Sequence, residues 1–208
     1  MNFPNILTDE AELRELLGQP SPLVQNKSIS QLDAHCRDFL AKSPFALIAT
    51  SDVEGHCDVS PRGDQPGFVA VLDEHRLLIP ERPGNKRADS LRNILATGQI
   101  GLLFLIPGLE ETLRINGRAC IVRDEDLLKS VAANGKTPLL AIGVEIEECF
   151  VHCAKSLKRS RLWQPETWLP SADLPVPARM IAAHVNLPNV DEQEVTARLQ
   201  DSYTNRLY

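Results

Sequence analysis

The residues able to do chemistry fall in three basic stretches of the chain. The longest reads Glu81-Arg82-Pro83-Gly84-Asn85-Lys86-Arg87-Ala88-Asp89-Ser90-Leu91-Arg92-Asn93-Ile94. A strand candidate ends at Pro80, a Pro-Gly turn follows, and Asn85 suits the N-cap of a helix with Leu91, Ile94 and Leu95 on its apolar side. This spacing puts Lys86 and Arg87 in the first helical turn, with Arg82 just ahead of it. Cations there oppose the helix dipole. A bound phosphate would reverse the sign, because free backbone N–H groups and guanidinium donors could converge on it. The alternative is a solvated helix start whose cations pair with Asp89 and Glu81, and composition alone leaves both readings open.

The second stretch, Val59-Ser60-Pro61-Arg62-Gly63-Asp64, ends a strand and enters a loop containing Gly67. The third leaves the last strand and holds Lys155, Lys158, Arg159 and Arg161, the densest positive run in the chain. A charge run is usually a solvated face. This one is bracketed by apolar residues and Trp163, so burial against a ligand or partner has an equal claim.

Other constellations carry less. Gly135-Lys136-Thr137 lacks the first glycine of a phosphate-binding P-loop, and Pro138 would break the helix that motif needs. No Gly-x-Gly-x-x-Gly is present, so a dinucleotide fold is unsupported. Cys149, His152 and Cys153, with His56 and Cys57 far off, do not make the repeated ligand pairs of a zinc site. Ser60 lacks a nucleophile elbow. His35, His75 and His184 sit in surface-like contexts.

The elements that must position these residues are mostly short strands. Phe45–Thr50, His56–Ser60, Phe68–Leu72, Arg76–Pro80, Gln99–Leu105, Thr112–Arg123 and Leu139–His152 are apolar or alternating runs separated by turn signals. Asp73-Glu74 is a tight hairpin, Pro107-Gly108 a turn, and Asn134-Gly135 the C-cap of a helix through Ser130 to Ala133. With only two helices among them, the strands predict a small, mainly antiparallel barrel with flanking helices. A doubly wound sheet would need a helix between most strands.

The ends differ in composition. Residues 1–44 read as a helical extension, with Ile29, Leu32, Cys36, Phe39 and Leu40 at helical spacing and Ser28 or Ser30 as cap. Residues 45–163 hold the barrel. Residues 164–208 form a proline-rich arm ending in a helical pattern from Asp191 to Leu199.

At 208 residues, 43% hydrophobic and 24% charged, the chain can bury a real core. Its 22 basic against 28 acidic residues, a net charge of −6, argue against a general nucleic-acid or anionic-membrane partner. No apolar run approaches a membrane span, and the acidic start does not read as a signal peptide. Five sparse cysteines read as free thiols of a cytoplasmic protein.

Ser-Pro-Arg-Gly-Asp at 60–64, Arg-Pro-Gly-Asn at 82–85, Asp-Ser-Leu-Arg-Asn-Ile at 89–94, His-Cys-Ala-Lys at 152–155 and Arg-Ser-Arg-Leu-Trp at 159–163 stand in one order. In that order and spacing the chain resembles the pyridoxamine 5'-phosphate oxidase-like FMN-binding split-barrel family, in a bacterial branch of FMN-dependent proteins. The resemblance covers about two thirds of the chain. It implies an antiparallel, homodimeric split β-barrel holding FMN across the dimer interface, with Lys86 and Arg87 on the phosphate. Arg82, Asn85 and Ser90, inside the shared stretches, join the cofactor-binding set. Ile79 and Pro80 would run beside the isoalloxazine, Ser60, Pro61 and Arg62 would end the first flavin-lining strand, and Thr112 would enter the sixth. Lys155, Arg161 and Trp163 would come from the partner subunit.

The sequence departs from the vitamin B6 oxidase itself. Ser60 and Arg62 do not reproduce its Arg-x-x-x-x-Lys strand, Ile79-Pro80 replaces its Tyr-Thr, and its closing Arg-x-His segment is missing. The resemblance thus favours FMN over pyridoxine chemistry. It implies an oxidoreductase acting on a small molecule, with NAD(P)H a candidate electron donor and no catalytic side chain assigned. Two alternatives stay open: a flavin-binding or storage module without turnover, and a split barrel holding a deazaflavin or haem.

Overall fold

The computed structural model describes residues 2–185 and 187–208. The short apolar runs become β1 (Phe45–Ser51), β2 (Cys57–Gly63), β3 (Ala70–Val71), β4 (Arg76–Pro80), β5 (Gln99–Leu105), β6 (Thr112–Val122) and β7 (Ala141–His152). They pair into one seven-stranded sheet in the order β2-β1-β5-β6-β7-β4-β3, antiparallel at every ladder. The fold is therefore a mostly antiparallel sheet with flanking helices. It is open: β2 and β3 are its edges, and no ladder joins them among the described residues.

Period-two alternation decides which face is inside. Ile100, Leu102 and Phe104 on β5, and Ile142, Val144 and Ile146 on β7, are buried, while Glu145 and Glu147 face out. A single apolar cluster collects these with Ala46 and Ile48 of β1, Leu77 and Ile79 of β4, and Leu113 and Ile115 of β6. Strands far apart in the sheet order meet in this cluster, so the sheet curls around it, while Leu78, Leu128, Val131 and Ala141 form a second, smaller cluster. Helices α3 (Ala34–Lys42) and α4 (Asp89–Thr97) add Cys36, Leu40 and Ile94 to it. The buried Cys36 and Cys149 thiols lie 3.4 Å apart, and burial pushes both upward from the ordinary thiol range.

Several boundaries differ from the sequence reading for local reasons. Asp33, not Ser28 or Ser30, caps α3 by accepting from the Cys36 N–H, and Ile29 instead bridges to Cys149. The helix α5 (Glu125–Ser130) stops short of Asn134-Gly135. Those two residues adopt φ of +50° and +71° between Ala133 and Lys136, which pair with each other. Asn-Gly thus makes a two-residue hairpin turn instead of a helix cap.

The basic run yields α6 (Lys155–Ser160), and the arm yields α7 (Pro177–Val185) and α8 (Glu192–Asn205), which begins after its Asp191 cap and outruns Leu199. At the other end lie α1 (Glu10–Leu17) and α2 (Pro22–Gln25), neither with a buried residue. No helix among the described residues is long and apolar enough to cross a membrane.

The long β6–β7 ladder shifts register between Asn116 and Gly117. A Cβ at Gly117 would sit 2.0 Å from the Glu145 carbonyl oxygen, so only glycine allows the backbones this approach. Gly117→Ala should therefore lower stability by about 1–3 kcal/mol. A urea-unfolding midpoint unchanged from the native protein would contradict this.

Candidate functional site

On β2, alternation turns Asp58, Ser60 and Arg62 to the half-buried side and Cys57, Val59 and Pro61 outward. Helix α4 lies against that side. The Asp58 Oδ2 accepts from Ser60 Oγ at 3.1 Å and from Ser90 Oγ at 2.8 Å, tying strand to helix. One turn on, Asn93 Nδ2 donates to Thr50 Oγ1 at 3.1 Å and Thr97 Oγ1 to the Ser51 carbonyl at 3.1 Å. The inward stripe of α4 is thus Ser90, Asn93, Ile94 and Thr97, at helical spacing. Leu95, expected on the apolar side, is 75% exposed.

The helix also starts later than the sequence suggests. Lys86 and Ala88 hold φ of +63° and +59°, outside the helical region, so the first turn begins at Asp89. Asn85 is not its N-cap; its Oδ1 instead accepts from the Arg87 N–H at 3.0 Å. Lys86 and Arg87 consequently sit in an exposed loop just before the helix. Ala88, at the cap position, has no side chain to satisfy the first turn. The N–H groups of Asp89, Ser90 and Leu91 find no acceptor among the described residues. Arg87 pairs with the Asp89 carboxylate, whose hydrogen bond and charge push the guanidinium further up; Asp58 adds to that field.

Two further ion pairs cross the opening between β2 and β4, which have four strands between them in the sheet order. Arg62 Nε donates to Glu81 Oε2 at 3.0 Å, and Arg82 Nε to Asp64 Oδ2 at 2.7 Å. The Asp64 side chain is only 3% exposed, and those of Arg62 and Arg82 are 16% exposed. Asp64 Oδ1 also accepts from the Gln65 N–H and from Tyr208 Oη. A carboxylate so enclosed is held by its partners; removing the arginine from such a pair costs roughly 3–5 kcal/mol.

The expected site residues are thus distributed unevenly. Ser60, Ser90 and Arg87 gather around Asp58. Arg82 instead lines a cavity of about 330 Å3 with Asp64, Phe68, Val131, Asn134 and Tyr208, to which Lys86 and Arg87 do not contribute. Ile79 and Pro80 have wholly buried side chains, and the Ile79 backbone pairs with Ile142 of β7; β3 begins opposite Leu78, so among the described residues only the Pro80 carbonyl is left on the unpaired edge of β4. Thr112 is buried at the start of β6, opposite His152. Lys155 opens α6 and Arg161 closes it with φ of +52°. Trp163 Nε1 donates to the Leu109 carbonyl at 2.9 Å, and Lys158 pairs with Glu110, so this segment rests on the β5–β6 turn of its own chain.

Sequence reasoning missed Asp58, Asp64 and Tyr208. The first was readable, since it stands two residues before Ser60 on the same strand face. Asp64 stands in the Ser-Pro-Arg-Gly-Asp stretch without a role, and nothing local marks Tyr208. Among the discarded constellations, Lys136 lies in the Asn-Gly hairpin, and Cys149 faces Cys36. Asp52, Glu54 and His56 cluster at the exposed β1–β2 turn, where Asp52 accepts from the backbone of the other two.

The sequence profile described as pyridoxamine 5'-phosphate oxidase matches residues 32–153, more than half of the chain and every strand of the sheet. The chain belongs to the pyridoxamine 5'-phosphate oxidase family. No curated protein sequence matches it. Among solved structures, HupZ of Group A Streptococcus is similar to this family member at 18% identity, covering 58% of this chain and 93% of its own, with a TM-score of 0.48. A candidate pyridoxamine 5'-phosphate oxidase of Lactobacillus delbrueckii is 23% identical over 59% of this chain and 95% of its own, TM-score 0.47. An FMN-binding protein of Syntrophomonas wolfei is 11% identical over 69% of this chain and 96% of its own, TM-score 0.43.

Burial alone would raise the Asp64 carboxyl, but the hydrogen bonds from Tyr208, Gln65 and Arg82, with the arginine charge, hold it below the ordinary range. A depressed folded-state pKa contributes stability that is fully present above the unfolded value and lost as pH falls through the folded one. Asp64→Asn should therefore flatten the loss of stability below about pH 4, the ordinary carboxylate value. Chemical unfolding at a series of pH values checks this; an unchanged slope would show that Asp64 is not depressed.

Proposed function

We propose that this protein binds FMN non-covalently at a homodimer interface and uses it as an oxidoreductase on a small molecule. Membership of the pyridoxamine 5'-phosphate oxidase family carries the reading. The local chemistry supports it. Lys86, Arg87 and the three acceptorless N–H groups of the first α4 turn suit a phosphate, combining charge with oriented backbone donors. Arg87 would exchange its Asp89 partner for that phosphate and remain charge-paired throughout.

The polar side of β2 supplies Ser60 and Arg62, with Pro61 on the same strand, for the flavin-lining role. Ile79 and Pro80 at the end of β4 would run beside the ring, with the Pro80 carbonyl on the open edge, and Thr112 would stand at the start of β6. Lys155, Arg161 and Trp163 of the partner subunit would complete the site. Arg82 and Asn85 would act on the loop that carries the phosphate donors, and Ser90 on the start of α4. With aromatics at 5% of the chain, the ring walls would be aliphatic and backbone.

Bound FMN supplies reversible two-electron redox chemistry. The chain's own task is to bind it, exclude water, and place a cation near the N1–C2=O edge where negative charge develops. Arg62 or the partner subunit's Lys155 would serve there. NADH or NADPH is the electron donor to test first.

The decisive measurement is reconstitution with FMN, read by flavin absorbance. A protein that stays colourless and leaves added FMN unchanged overturns the proposal. Arg87→Ala should weaken FMN binding tenfold or more, in line with roughly 1.5–3 kcal/mol for a charge-assisted contact, while riboflavin affinity holds. Equal losses for the two ligands would place Arg87 away from the phosphate. Anaerobic bleaching by NADH or NADPH separates turnover from storage.

A further inference from the structure

Tyr208 lies in the segment after α8, and nothing in the family chemistry above uses it. Its ring lines the cavity of about 330 Å3 described above. Its hydroxyl donates to Asp64 Oδ1 at 2.6 Å, while Asp64 Oδ2 accepts from Arg82 Nε at 2.7 Å. Its main-chain oxygen accepts from Lys136 Nζ at 2.7 Å, in the Asn-Gly hairpin. The segment is therefore held at two points, by its side chain and by its backbone.

Arg82 is the second residue of the loop that runs from the end of β4 to α4. Glu81 before it is tied to the Leu140 carbonyl through its N–H and to Arg62 through its carboxylate. From Pro83 to Lys86 no side chain makes a hydrogen bond to a distant described residue; Asn85 and Arg87 bond only within 85–89. The Arg82–Asp64 contact is thus the last tertiary anchor before the exposed Lys86 and Arg87. Asp64 itself is buried and shared between the arginine and the phenol, so the position of one donor constrains that of the other. The hydrogen bond to Asp64 raises the Tyr208 pKa, keeping the phenol a donor across the ordinary pH range.

We propose that Tyr208 is a positioning residue: through Asp64 it holds Arg82, and so sets the order of the 81–88 loop that presents Lys86 and Arg87. The link to flavin affinity rests on the proposed FMN function, whereas the link to loop order does not. Docking of the 206–208 segment therefore tunes the phosphate-facing loop from a site that touches no cofactor.

The test uses the full chain and three variants. Tyr208→Phe keeps the ring and removes only the donor, Tyr208→Ala removes both, and Asp64→Asn keeps the shape of the carboxyl. Hydrogen exchange is followed in protein without flavin. Faster exchange is expected in residues 81–88 and 64–68 for both Tyr208 variants, more so for Ala, with the β5, β6 and β7 strands unchanged. FMN affinity should fall roughly three- to tenfold in Tyr208→Phe, on the scale of one ordinary hydrogen bond because the loss acts through the loop, with riboflavin affinity unmoved. Asp64→Asn should reproduce the loop exchange. Unchanged exchange at 81–88 in Tyr208→Ala overturns the proposal, as does a uniform rise across the sheet, which marks a merely structural role. Faster loop exchange in a protein that binds no FMN would sustain the positioning role and overturn the flavin reading instead.

Discussion

An arginine side chain withdrawn from water must find a negative partner, and this fold places two such pairs across its own opening. Arg62 with Glu81 and Arg82 with Asp64 connect the end of β2 to the end of β4, which no backbone ladder joins among the described residues. The curled sheet needs some such closure. Its core draws on β1 and β4 together, and separation of the sheet ends would open that core to water. Salt bridges at a surface contribute little, but these are largely enclosed, and each partner would be left as an unpaired, partly buried charge if the ends parted.

The same closure decides what surrounds the candidate cofactor site. Two of its arginines are engaged in the seam and are fixed in direction. Lys86 and Arg87 stand in an exposed loop, and Arg87 has only the neighbouring Asp89 to exchange. In the proposed site the enclosed arginines, Arg62 among them, would be held in place, and the exposed Lys86 and Arg87 would turn to the phosphate. The division follows from burial: the enclosed pairs would lose their partner without gaining solvent, whereas the exposed pair can be traded at small cost.

Much of the fold was legible in the sequence. The alternation of β5 and β7, the turns at Asp73-Glu74 and Pro107-Gly108, and the last helix after Asp191 all follow from period and turn chemistry that act over a few residues. Where the reading slipped, a tertiary contact or an unusual backbone dihedral had overridden local propensity. Ile29 has helical spacing to its neighbours but pairs with Cys149, 120 positions away. Asn134-Gly135 is as good a hairpin turn as a helix cap, and only the pairing of Ala133 with Lys136 distinguishes the two. Asn85 would cap a helix if Lys86 and Ala88 were helical; their positive φ values move the start to Asp89.

The opposing charges tell the same story at the site. The sequence by itself determined that basic residues stand apart from the acidic segments, that Ser60 and Arg62 share a strand face, and that a helix follows the Pro-Gly turn. These depend on neighbours in the chain. Tertiary structure alone decided which carboxylate each arginine meets, that Arg82 turns into a cavity with Asp64 and Tyr208, and that the first turn of α4 is left without a cap. Those outcomes depend on which strand ends the curled sheet brings together, and an ion-pair partner 18 residues away or a hydrogen-bond partner 144 residues away leaves no mark on local periodicity.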